Sequence, residues 1–163
     1  MSFCINLAVI LEIPPLVMDK TFQLGNTERK GKIFNVSHIK NRDIEINDID
    51  TTNIKEDYFV MFYTGCLKER KYGSPEYFTG HPELSLVKKK VSMIGIDAPG
   101  VRKPFEHPKA DKYCADNGIF VIENLANLDV VWKEAGSNDF LVHTYPVNYE
   151  GLSGLPCRVV ADI

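Results

Sequence analysis

"HPKADKYCADNGIFVIENLANLD", residues 107–129, reads as a helix, a stop and a buried strand in immediate succession. Pro108 suits a first helical position, Gly118 suits the end of the helix, and His107 is placed to cap its start. Ile119-Phe120-Val121-Ile122 is an apolar run too short for a helix and rich in β-branched residues, so it predicts a strand. A helix from about Pro108 to Asn117 advances ~15 Å at ~1.5 Å per residue. A strand returning from Gly118 at ~3.3 Å per residue covers a similar distance. Glu123 would therefore arrive near the helix start, where His107 and Asp111 lie one turn apart.

That placement raises a chemical question. Glu123 is the one charge between the apolar run and the leucines Leu125 and Leu128, and an unpaired buried carboxylate is costly. A partner, a metal or a proton has to compensate it. His107, Asp111 and Glu123 together form a constellation for a divalent metal or for acid–base chemistry, with His107 as its imidazole. The same groups also suit a blander arrangement, a capping histidine and a glutamate satisfied by backbone amides.

The rest of the chain extends the alternation of helix and strand. "GKIFNVS" (31–37), "DYFVMFYTG" (57–65), "VSMIGIDAPG" (91–100), "FLVHTYP" (140–146) and "CRVVADI" (157–163) are strand candidates. "PELSLVKKK" (82–90) predicts a helix opened by Pro82. "NRDIEINDIDTTNI" (41–54) predicts a surface connection or short helix. The opening "MSFCINLAVILEIPPLVMDK" (1–20) lacks the basic start of a signal peptide, and Glu12 interrupts its apolar run, so it predicts a core element. The expected class is α/β, a single domain over residues 1–163.

Composition narrows the function classes. The 163 residues carry 19 basic and 22 acidic side chains, a net charge of −3 that offers no field for nucleic acid or an anionic membrane. Lys88-Lys89-Lys90 and the Arg29-Lys30-Lys32 group are expected to be solvated faces. Cys4, Cys66, Cys114 and Cys157 show no Cys-x-x-Cys spacing, which predicts reduced thiols and a cytoplasmic setting. His38, His81 and His143 are scattered and read as turn, capping and strand residues. Cys66 has no base nearby in sequence, and Trp132 reads as core or interface.

Four stretches also carry a resemblance. "FYTG" (62–65), "MIGIDAPG" (93–100), "HPKADKYCADNGIFVIENLANLD" (107–129) and "GLPCRVVADI" (154–163) resemble successive blocks of the cyclase family that includes bacterial kynurenine formamidase. The resemblance implies a swivelling β/β/α architecture around a small barrel-like mixed sheet flanked by helices, assembled as a homo-oligomer. It also implies metal-dependent hydrolysis of a small-molecule amide of the N-formylkynurenine kind, on zinc or manganese.

The family's metal motif, His-x-Gly-Thr-His-x-Asp-x-Pro-x-His, has no counterpart here. Anchoring its proline on Pro15 puts Leu7, Leu11, Ile13 and Val17 at its histidine and aspartate positions, and aliphatic side chains bind no Zn²⁺ or Mn²⁺. The domain is thus expected to be shortened at its N-terminus relative to the family. Glu123 keeps the family's glutamate, and Asp111 stands where the family has a histidine, twelve residues earlier. Two functions follow: a metal-dependent amidohydrolase with Glu123 and Asp111 as ligands, or a silent member serving as a binding or assembly module.

Overall fold

A computed structural model describes residues 1–11, 21–39, 42–69, 86, 88–102 and 105–163, with the backbone alone for 4–11 and 68–69. Seven strands build one mixed sheet: β1 (Ser2–Leu11), β2 (Glu28–Asn35), β3 (Phe59–Tyr63), β4 (Met93–Ile96), β5 (Phe120–Glu123), β6 (Phe140–Pro146) and β7 (Gly154–Asp162). Their order is β1-β5-β4-β3-β2-β6-β7, and β7 pairs back onto β1, so the sheet wraps into a barrel. The strands β2 to β5 are mutually parallel, and β1, β6 and β7 join antiparallel. Every strand expected from residue pattern is present, and the opening segment forms the strand β1.

Side-chain alternation makes two apolar cores from one sheet. In β3, Phe59 and Met61 join Met93, Ile122, Val142 and Val159 on one face. Val60 and Phe62 join Ile94, Ile96 and Val121 on the other. Each such fully buried side chain contributes roughly 1.5–3 kcal/mol relative to exposure. Parallel strands covered on both faces read as continuous apolar runs, which is why "FVMFY" and "MIGI" show no polar alternation.

The helices cover different faces. Helix α1 (Cys66–Glu69) is one turn after β3. In α2 (His107–Asp116) the residues Ala110, Asp111 and Cys114 are buried, at the helical spacing of one stripe, against the second core. Helix α3 (Leu128–Ala135) lays Leu128, Val131 and Ala135 against the first core, with Trp132 partly buried beside them. The N-cap of α2 is Glu106, with His107 the first helical residue and Pro108 the second, so His107 begins the helix instead of capping it. Gly118 ends the turn after α2 at φ +71°, a conformation a Cβ would strain. Among the described residues 42–54, the one helical element is a 3₁₀ turn, Ile46–Asp48. The expected helix at 82–90 and the histidine at 81 lie largely outside the described residues.

Candidate functional site

Glu123 is the last residue of β5 and shares a face with Ile119 and Val121, the face that α2 covers. Asp111 is the polar member of the buried stripe of α2. Both carboxylates thus enter the same seam, and they are only 7% and 8% exposed. Glu123 Oε1 and Asp111 Oδ1 are buried with no hydrogen-bond partner. Burial, and then the charge of Asp111, push the Glu123 pKa up to about 7. Burial alone pushes Asp111 up to about 6. Two carboxyls in one dry seam cannot both ionise cheaply, so at neutral pH they hold a proton or a cation between them.

His107 stands one helical turn before Asp111, and its Nε2 is buried with them. A Cβ on Gly100 would lie 2.1 Å from its ring, so the loop after β4 reaches the imidazole only because residue 100 has no side chain. Burial lowers the His107 pKa, against a smaller opposing effect of a hydrogen bond to the Arg102 backbone. The ring is therefore neutral at pH 7. Arg102, itself buried, is paired with Glu106 at 2.9 Å. The seam is left with two carboxyl groups, and the half-buried His107 ring stands at the start of the same helix.

Whether these groups fit a divalent metal turns on donor kind and number. Two buried carboxylate oxygens without hydrogen bonds are suitable donors, but a catalytic zinc needs three protein ligands and an open position. Among the described residues no group of three or more His, Cys, Asp or Glu side chains is arranged to hold a metal. Strand β1 runs directly beside Glu123, pairing Val9 with Glu123 and Leu11 with Val121. That stretch, Ala8-Val9-Ile10-Leu11, contains no donor. Ile13 and Val17 fall outside the described residues. The site fits in donor kind and falls short in number.

A second polar feature sits at the same end of the parallel strands. Asp97, at the end of β4, is 2% exposed and accepts hydrogen bonds from the Thr64 N–H and hydroxyl, both at 2.7 Å, and from the Gly65 N–H at 2.8 Å. Those bonds oppose the effect of burial, which raises its pKa. A cavity of about 230 Å³ opens there, lined by Tyr63, Leu67, Asp97, Leu125, Asn127 and Asp129. In the sequence Thr64-Gly65 and Asp97 close two separate strand candidates, 57–65 and 91–100, with nothing local to join them. The signal was available in both motifs ending parallel strands, where ligand crevices form.

His38 is an exposed turn residue, and Cys66 is buried with its N–H bonded to Thr64 Oγ1. His143 lies 3.7 Å from the Glu28 carboxylate and stacks on Tyr145. Lys32 departs from the solvated face expected of its cluster: it is 8% exposed and ion-paired with Asp139 at 3.1 Å. No helix among the described residues is long and apolar enough to cross a membrane.

No protein-family model and no curated protein matches the chain. Solved structures do. The chain resembles a potential metal-dependent hydrolase with cyclase activity at 22% identity and a TM-score of 0.79, covering 96% of this chain and 77% of that one. It resembles a predicted metal-dependent hydrolase from Bacillus stearothermophilus at 23% identity and a TM-score of 0.74, over 96% and 75% of the two chains. Isatin hydrolase A from Labrenzia aggregata follows at 14% identity and a TM-score of 0.77, over 96% and 72%. At these identities the likeness shows a shared fold.

Proposed function

We propose that the chain is an impaired metal-dependent hydrolase of the cyclase and arylformamidase type, acting on a small-molecule amide such as N-formylkynurenine. The observation that carries this reading is the pair of buried, unsatisfied carboxylate oxygens of Glu123 and Asp111, at the carboxyl end of a parallel strand, in a fold shared with metal-dependent hydrolases. Those two residues would hold zinc or manganese, and a bound ion there would lower the pKa of a water and polarise a carbonyl. His107, half-buried and one helical turn before Asp111, is the group to accept and return a proton. Two carboxylates are too few for tight binding, so weak metal affinity and slow turnover follow.

One observation favours a second reading, a silent member acting as a binding or assembly module. The strand against Glu123 is aliphatic where the resemblance calls for ligands. Both readings include a homo-oligomer, and neither involves nucleic acid or membrane. Metal analysis of protein purified without chelator, together with an assay on N-formylkynurenine with added Zn²⁺ or Mn²⁺, separates them. Metal-dependent turnover that Glu123→Gln abolishes supports the hydrolase. Absence of both metal uptake and turnover leaves the module.

A further inference from the structure

Partway along β2 one of its two neighbours ends. β6 pairs with β2 from Glu28 to Gly31, whereas β3 runs beside it as far as Asn35. Among the described residues, no strand pairs with 32–35 on the β6 side, so that edge presents backbone donors and acceptors. A cavity of about 350 Å³ opens along this edge, lined by Lys32, Phe34, Asn35, Asp50, Asn53 and Trp132 among others. None of these belongs to the seam between α2 and β5.

Its charges are fixed in place by the fold. The Lys32 ammonium donates to the Ser137 carbonyl and to Asp139 Oδ1, whose other oxygen accepts the Tyr58 hydroxyl at 2.7 Å. An ammonium has three N–H bonds, so one is left for the cavity that Lys32 lines. Asp48, also in the lining, is already taken by Arg42 at 2.7 Å and by the Glu45 N–H at 2.8 Å. Asp50 is exposed, interacts electrostatically with Lys32, and uses Oδ1 for the Thr52 N–H at 2.9 Å.

The remaining Lys32 N–H can donate to a ligand carboxylate, and the exposed Asp50 carboxylate can accept from a ligand ammonium. A small zwitterion satisfies both. We propose that this cavity binds a free α-amino acid, its carboxylate at Lys32 Nζ, its ammonium at Asp50, and its side chain against Trp132. The volume falls within the range of small-molecule pockets, and an aromatic flank with a few convergent polar groups is what such ligands require.

Trp132 is the sole tryptophan of the chain, so its emission reports occupancy directly. Leucine and phenylalanine, titrated into the full chain at pH 7.5, are expected to shift that emission with one-site saturation. Phenylalaninamide, which lacks the carboxylate, and N-acetylphenylalanine, which lacks the ammonium, should each bind at least tenfold more weakly. Asp50→Asn should weaken binding of phenylalanine at least tenfold without altering the circular dichroism spectrum. Lys32→Gln should do the same. If loss of the Asp139 pair unfolds that variant, the capped ligands and Asp50→Asn decide alone. Silence of Trp132 toward both amino acids overturns the proposal. So does equal binding of the capped and free ligands, or undiminished affinity in Asp50→Asn.

Discussion

Glu123 and Asp111 face each other across the seam between β5 and α2, each with a buried oxygen that no hydrogen bond satisfies. Neither the strand nor the helix creates this arrangement alone. It follows from the alternation that turns Glu123 to the covered face and from the helical spacing that places Asp111 in the buried stripe.

Stability should fall as pH rises through the acid-to-neutral range. The folded Glu123 pKa is about 7, against an ordinary value of 4.5, so the folded state holds more protons than the unfolded state between those values. Asp111, raised to about 6 from 3.8, adds to the same trend from lower pH. Thermal melts from pH 5 to pH 8 should show a declining Tm. A flat profile would mean the pair is not buried as described.

Glu123→Gln should stabilise the chain at pH 8, by roughly 1–2 kcal/mol, and flatten that profile. The amide N–H can donate to Asp111 Oδ1, which now lacks a partner. The same substitution should abolish any Zn²⁺ or Mn²⁺ uptake measured by equilibrium dialysis. A stable variant that still takes up metal would place the ion elsewhere.

Gly100→Ala should cost stability and disturb His107 specifically. The new Cβ would sit 2.1 Å from the ring, at a backbone φ of +145° that side chains rarely adopt. A loss of about 1–3 kcal/mol in chemical denaturation is expected, because overpacking and backbone strain act together. The His107 imidazole resonances should shift by NMR.

Asp97→Ala should be among the most damaging single polar changes, at about 1–3 kcal/mol or more. It leaves the N–H groups of Thr64 and Gly65 buried without acceptors and detaches the end of β3 from the end of β4. Denaturant titration with an unchanged m-value would report a pure stability loss.

The chain should be a homo-oligomer. Tyr145, Val147, Tyr149 and Leu152 are exposed around the β6–β7 connection, and Leu24 is exposed beside a cavity that Tyr145 and Val147 also line. An apolar grouping of that kind marks contact surfaces. Light scattering at tens of micromolar should give a mass at least twice that of the 18.4 kDa chain. Replacing Tyr145 and Tyr149 with serine should reduce it.

The strands, α2 and its stop were legible in the sequence because each depends on local rules. Apolar β-branched runs make Phe59–Tyr63 and Phe120–Glu123 extended, and Gly118 terminates α2 whatever surrounds it. Rise per residue even carried Glu123 back toward Asp111. What local rules do not contain is pairing between distant segments. Only the tertiary structure set β1 beside Glu123, joined Asp97 to Thr64, and turned Lys32 out of its basic cluster to meet Asp139. Burial decides whether a carboxyl keeps its proton or a lysine needs a partner, and burial at any residue is the sum of chain segments that sequence proximity does not bring together.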